Sequence, residues 1–274
     1  QVLEITNPRW TEAGLDQRII DVLSGKGFTS FTPVQGEAFK PVLAGRDVIG
    51  RSRTGTGKTL AFGLPALTRI KRMAAENGNL EPSGRMRRGR LPSMIVLCPT
   101  RELARQVSVE LSEVSKPLGL RVECFYGGVG YDPQAKALRD GLDVLVGTPG
   151  RIMDHQDRGN LDLRELNIAV LDEADEMLNM GFADDVERIL YDAGSARKDK
   201  LQCLMFSATT PSWVKDIGKR YQENVVQIDA TSEDAARTAT TVRHLAIQMP
   251  MGVEHKKTLL EDIIAVEISK EREE

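Results

Sequence analysis

The stretch Asp47-Val48-Ile49-Gly50-Arg51-Ser52-Arg53-Thr54-Gly55-Thr56-Gly57-Lys58-Thr59 decides the fold. Its first part carries β-branched apolar residues and reads as a strand over 47–52. A glycine-rich turn follows, ending in Lys58 and Thr59, and then LAFGLPALTRI, residues 60–70, continues with helical spacing. A strand, a glycine loop and a helix in that order make a phosphate cradle. The glycines let backbone N–H groups face phosphate oxygens, and the helix adds its positive end. A lysine reaches the β- and γ-phosphates, and a hydroxyl holds Mg²⁺. The expected nucleotide contacts are therefore Thr54, Gly55, Thr56, Gly57, Lys58 and Thr59. The strict pattern has Gly where this chain has Ser52, so the loop alone also reads as a glycine turn before a helix.

Outward from this unit, short apolar runs alternate with helical patterns. The strand candidates are 47–52, 93–99, 121–127, 143–148, 168–172, 202–207 and 225–228. Runs such as MIVLC and IAVL are continuously apolar, as strands buried on both faces of a parallel sheet should be. Between them, 103–114 and 182–190 repeat apolar residues at three and four. The alternation predicts an α/β domain with a mostly parallel sheet and helices on both faces. Its ligands belong at the carboxyl ends of the strands. Residues 74–93, with Arg85, Arg87, Arg88 and Arg90, read as a long mobile loop. Residues 230–240 (ATSEDAARTAT) read as an interdomain linker.

Asp172 and Glu173 close the apolar run 168–171. An aspartate there holds Mg²⁺ through its water, and its neighbour orients or deprotonates the attacking water. Both would also suit a helix start on dipole grounds alone. Together with the glycine loop they imply nucleoside triphosphate hydrolysis with Mg²⁺, Thr59 and Asp172 being the metal-side ligands, and leave open what the energy is used for.

Composition limits the rest. The 274 residues are 41% apolar and 28% charged with net charge −3, so a nucleic-acid partner must use a local surface. Cys98, Cys124 and Cys203 are scattered inside apolar runs and read as buried thiols. His155, His244 and His255 do not cluster. No run approaches the ~18 apolar residues of a membrane span, and no secretory signal opens the chain. It reads as part of something longer.

Asp172-Glu173-Ala174-Asp175 spells DEAD, and the chain resembles the DEAD-box RNA helicases over nearly its whole length. Gly27-Phe28-Thr29-Ser30-Phe31-Thr32-Pro33-Val34-Gln35 is similar to the family's adenine-reading Q motif, with Trp10 upstream and Phe31 where the family commonly has Pro. The glycine loop matches a family that commonly has Ala or Ser at the place of Ser52. Pro99-Thr100-Arg101-Glu102-Leu103-Ala104 with Gln106, Gly127-Gly128, Thr148-Pro149-Gly150-Arg151 and Ser207-Ala208-Thr209 follow in the family's order.

The resemblance implies a RecA-like P-loop NTPase fold and an ATP-dependent RNA helicase. Gln35 would read the adenine edge, Phe28 would stack on the base, and Trp10 would anchor an amphipathic helix against the domain. Catalysis would fall to Lys58, Asp172 and Glu173, with Ser207 and Thr209 coupling. The RNA-facing set would be Pro99, Thr100, Arg101, Gly127, Gly128, Thr148, Pro149, Gly150 and Arg151. Residues 1–229 would form the first lobe, 230–240 the linker and 241–274 the start of a second lobe, which supplies arginines to the ATP site. The lobe alone would be nearly inactive. Its location would be intracellular, in the nucleolus or an organelle such as mitochondrion or chloroplast. A DNA helicase or other P-loop ATPase, and a single-lobe RNA-clamping adaptor, are the rival readings.

Overall fold

The computed structural model describes residues 10–52, 55–78, 80, 88–195, 200–209, 211–230 and 253–271. Contacts divide the chain into two units, Gln1–Ser232 and Glu233–Glu274. In chain order the first holds α1 (Gln17–Gly25), α2 (Pro33–Leu43), β1 (Val48–Arg51), α3 (Lys58–Glu76), β2 (Met94–Leu97) and α4 (Arg101–Ser115). It continues with β3 (Val122–Phe125), α5 (Tyr131–Asp140), β4 (Val144–Gly147), α6 (Pro149–Asp157), β5 (Ile168–Asp172) and α7 (Ala174–Asn179). Last come α8 (Ala183–Ser195), β6 (Gln202–Ser207), α9 (Ser212–Tyr221) and β7 (Val226–Asp229). The second unit holds α10 (Val253–Glu271), which contains 256–264. Residues 231–250, with most of the expected linker, lie outside the described residues.

The strands form one sheet in the order β3-β4-β2-β5-β6-β1-β7. Every pairing is parallel. Each strand expected from the sequence forms, within two residues at its ends. The reason is the one read from the apolar runs: β2, β4, β5 and β6 are buried along their whole length. Successive side chains point to opposite faces. Met94, Val96, Val170 and Phe206 enter one cluster with residues of α1 to α4. Ile95, Leu97, Leu171 and Met205 enter a second with residues of α5 to α9. Helices therefore cover both faces, and the carboxyl ends of the strands stay open.

Two buried acids hold the amino-terminal edge of the sheet. Asp47 Oδ1 accepts from the Cys203 N–H at 2.7 Å, and its Oδ2 accepts from the Glu223 N–H at 2.7 Å and from Lys200 Nζ at 2.8 Å. Asp143 takes a two-pronged contact from Arg90 at 2.5 Å on each oxygen and a third bond from the Arg121 N–H. Arg90 was expected to belong to a mobile loop. The structure instead ties it to the strand edge, and α3 runs on through Ala74, Ala75 and Glu76. Those three are strong helix formers, which outweighed the Gly and Asn beyond them. Arg85 and Arg87 lie outside the described residues.

Candidate nucleotide site and nucleic-acid cleft

Strand β6 lies between β5 and β1. The segments that leave these three strands are therefore neighbours: the glycine loop, Asp172-Glu173, and Ser207–Thr209. Lys58 opens α3 and is 7% exposed, and Asp172 ends β5 and is 3% exposed. Lys58 Nζ, Asp172 Oδ1 and Ser52 Oγ have no hydrogen-bond partner among the described residues. Buried polar atoms are nearly always paired, and a lone buried charge is costly. A cation and an anion left open at one strand edge fit an external polyanion carrying its own metal. Thr54 and Arg53 lie outside the described residues.

Burial pushes the Asp172 carboxyl up to about 6, with Lys58 opposing and Glu173 adding to the rise. The folded state thus holds this proton more tightly than the unfolded chain, whose ordinary value is 3.8. The carboxylate costs nothing below the unfolded value, and its cost grows until the folded value is passed. Asp172→Asn is therefore expected to stabilise the nucleotide-free protein at pH 8 by on the order of 2 kcal/mol. The gain should shrink as pH falls below 6. Thermal melts at pH 8 and pH 5 check this, and an unchanged or lowered midpoint at pH 8 would contradict it.

Around these charges the local backbone is set by glycine and by caps. Gly57 sits at φ 86° at the start of α3, and a Cβ there would lie 2.5 Å from Gln35 Nε2. That closeness is a contact: Gln35 Nε2 donates to the Gly57 carbonyl at 3.2 Å, and Thr32 Oγ1 donates to the Thr56 carbonyl at 3.1 Å. Gln35 Oε1 accepts from the Thr32 N–H at 3.0 Å, so the amide also closes a capping box on α2. Phe28 is 46% exposed, open to a stacking partner. Phe31 and Trp10 are buried instead, with ring centroids 6.2 Å apart edge to face.

Glu173 is held at φ 53°, ψ 52°. For a residue with a Cβ this left-handed conformation costs roughly 1–2 kcal/mol, and here it turns the chain from β5 into α7. Asp175, two residues on, accepts from Thr209 through its N–H at 3.0 Å and its Oγ1 at 2.7 Å. The Asp175 N–H donates in turn to Ser207 Oγ at 3.4 Å. Burial opposes the Asp175 charge, but the bonds from Thr209 and Ser207 hold its carboxyl below the ordinary value. The end of β6 is thereby tied to the end of β5.

The other half of the carboxyl edge, where β2, β4 and β3 end, carries a cleft of ≈ 440 Å³. Pro99, Thr100, Arg101, Gly127, Thr148, Gly150 and Arg151 line it, from three separate stretches of chain. Thr100 caps α4, its hydroxyl accepting from the Leu103 N–H at 3.2 Å, and the buried Thr148 and Pro149 begin α6. Gly128, at φ 85°, lies so close to Arg101 that a Cβ would stand 2.6 Å from its Nη1. Backbone N–H groups, hydroxyls and two arginines around a groove suit a phosphate backbone read without sequence.

Sequence reading missed several residues here. Glu110 of α4 lies beside Thr59, and burial raises its pKa. It stands four residues past Gln106, beyond the recognisable motif. Met180 and Phe182 add apolar wall to the cleft, Met180 being 45% exposed. Their only signal was a large hydrophobic side chain just past a helix end. Among the described residues no group of His, Cys, Asp and Glu is arranged to hold a metal by itself. Nor is any helix among them long and apolar enough to cross a membrane.

The family model for the DEAD/DEAH box helicase matches residues 32–217. The chain belongs to the DEAD-box helicase family. It is 44% identical over 253 residues to a chloroplastic DEAD-box ATP-dependent RNA helicase 3B of Zea mays, covering 92% of this chain and 32% of that protein. It is 43% identical over 236 residues to nucleolar RNA helicase 2 of Rattus norvegicus, covering 85% of this chain and 29% of that one. The chain thus spans about a third of the length of these relatives. The crystal structure of a DEAD box protein from Methanococcus jannaschii superposes with a TM-score of 0.70 at 35% identity, over 81% of this chain and 56% of that one.

Proposed function

We propose that this chain is the nucleotide-binding first lobe of an ATP-dependent RNA helicase that couples ATP hydrolysis to gripping RNA and opening short duplexes. The observation that carries the reading is the pair of buried charges, Lys58 Nζ and Asp172 Oδ1, that face one strand edge with no hydrogen-bond partner among the described residues. Lys58 would bind the β- and γ-phosphates, with the N–H groups of Gly55, Thr56 and Gly57 around them and Thr54 beside them. Mg²⁺, when bound, would neutralise phosphate charge, held by Thr59 and, through water, by Asp172. Gln35 and Phe28 would take the adenine, and Glu173 would orient the attacking water. Gln35 would have to exchange its bonds to Gly57 and Thr32 for the base, linking adenine binding to the shape of the glycine loop.

Residues 1–229 would form this lobe, 230–240 the linker and 241–274 the opening of a second lobe. A trans-acting arginine contributes about 10³–10⁵ in rate in related phosphoryl-transfer chemistry. The isolated lobe should therefore bind nucleotide weakly and turn it over barely. The RNA would lie in the cleft of Thr100, Arg101, Thr148 and Arg151, as a sequence-nonspecific single strand or short duplex. An intracellular protein of the nucleolus or an organelle fits the names of the two relatives.

The test is a titration of this chain with fluorescent ADP, with Mg²⁺ or with a chelator. Binding should weaken on chelation, and Lys58→Ala should weaken it by tenfold or more, the loss of a charge-assisted contact worth about 1.5–3 kcal/mol. Equal binding by Lys58→Ala would sink the phosphate assignment. In the full-length protein, single-stranded RNA should stimulate hydrolysis and DNA should not; equal stimulation by both would favour a broader helicase class.

A further inference from the structure

Arg151 reaches the cleft from α6, yet its guanidinium is fixed from behind. Its Nη1 donates to Gln134 Oε1 at 2.9 Å and to the Val129 carbonyl at 3.3 Å. The Arg151 side chain is 14% exposed, and Gln134, from α5, is 6% exposed. Gln134 Oε1 has a second partner, His155 Nε2 at 3.0 Å, in a residue with no exposure at all. His155 stacks on Tyr131 with centroids 4.3 Å apart and planes 11° from parallel. Arg158 covers the Tyr131 ring at 4.6 Å.

The hydrogen-bond roles follow from this arrangement. Gln134 Oε1 accepts from Arg151, so the amide oxygen is fixed facing the arginine, while its Nε2 donates to the Tyr126 carbonyl at 3.4 Å. The His155 ring must then donate from Nε2, the neutral tautomer with a bare Nδ1. Burial holds the ring neutral, its pKa down at about 4. A charged imidazole would set a second cation against Arg151. Gln134, His155 and Tyr131 do not themselves line the cleft.

We propose that Gln134, backed by His155 and Tyr131, is a positioning device that holds the Arg151 guanidinium in its phosphate-binding orientation. The inference rests on the reading that the cleft takes an RNA backbone. Preorganisation is the physical reason it matters. An arginine free to rotate must lose side-chain freedom on binding, whereas one already bonded on its far side does not. A two-acceptor amide oxygen between an arginine and a buried neutral histidine does this without adding a negative charge near the RNA.

The test is RNA binding by the full-length protein, read by fluorescence anisotropy with a single-stranded RNA and a non-hydrolysable ATP analogue over a range of salt. Arg151→Ala should weaken binding roughly tenfold and flatten the slope of log affinity against log salt by about 0.7, one phosphate contact on a single strand. Gln134→Met, which keeps the volume and removes the acceptor, should reproduce a severalfold loss and part of the slope change. Gln134→Glu, which keeps an acceptor but adds a negative charge beside Arg151, should hold the arginine in place yet bind RNA more weakly than wild type with a flatter slope. Nucleotide affinity without RNA should stay unchanged in both Gln134 variants and reports that each is folded. Tyr131→Leu, at a half-buried position, should weaken binding in the same direction and carries the test if Gln134→Met fails to fold. If Arg151→Ala binds RNA normally, the RNA reading of the cleft fails. If Arg151→Ala is impaired while folded Gln134→Met and Tyr131→Leu bind with the wild-type slope, the positioning proposal is wrong and the cleft reading stands.

Discussion

Glu173→Gln in the full-length protein is expected to lower RNA-stimulated ATP hydrolysis by about 10²–10⁴, the range that a positioned general base contributes. Nucleotide and RNA affinities should remain within a few-fold of wild type. The substitution keeps the size and hydrogen-bonding reach of the side chain and removes only its capacity to take a proton. It also leaves the left-handed turn at φ 53° in place, so the geometry of Asp172 is undisturbed. Asp172→Asn serves as the contrast: it should weaken the Mg²⁺ dependence of nucleotide binding as well as turnover. Steady-state hydrolysis with and without RNA, beside equilibrium nucleotide binding, separates the two roles. Turnover by Glu173→Gln within tenfold of wild type would remove Glu173 from the role of base. Loss of nucleotide binding in the same variant would instead make it a structural element of the turn.

The sheet was legible because its strands are buried on both faces, and burial on both faces writes itself into sequence as an unbroken apolar run. MIVL over β2 and IAVLD over β5 could hardly be anything else at that length. Strand order was not legible, because it depends on which helices cross which face. That order does decide the site: placing β6 between β1 and β5 puts Ser207 and Thr209 against Asp175. The motif residues are legible by their order along the chain, and the side chains packed behind them are not. Gln134 and His155 are 21 residues apart, on different helices, and neither differs in type from an ordinary surface polar residue. Glu110 stands on an amphipathic helix among other acids, where nothing marks it as the neighbour of Thr59. Gln35 was legible as a motif residue, but its bond to the Gly57 carbonyl arises from the meeting of α2 with the glycine loop.

Acids show the same limit most plainly. Asp47, Asp143 and Asp172 all adjoin apolar strands and are all nearly fully buried. Only their end of the strand differs. Asp172 ends β5, at the edge where helix starts and loops gather, and one of its oxygens has no hydrogen-bond partner among the described residues. Asp47 precedes β1 at the opposite edge, where its oxygens accept two backbone N–H groups and Lys200. The first arrangement is open to a ligand and the second is closed.

From that closure follows a large expected effect on stability. Asp47→Ala should destabilise the folded chain by about 3–5 kcal/mol, the usual cost of removing one partner from a buried charged network. At this size such a loss lowers the melting midpoint by roughly 10 °C. Lys200→Ala should cost about 1 kcal/mol or less, because the lysine is 43% exposed and its ion pair is screened by water. If the salt bridge held the edge, both substitutions would be comparable. If the two N–H groups of Cys203 and Glu223 are what Asp47 serves, only its own removal strands them in a dry environment. Urea unfolding of the two variants decides between these, with unchanged denaturant slopes showing that the same surface unfolds. Near-equal losses would return the weight to Lys200. A loss under about 1 kcal/mol for Asp47→Ala would mean that water reaches those N–H groups once the carboxylate is gone.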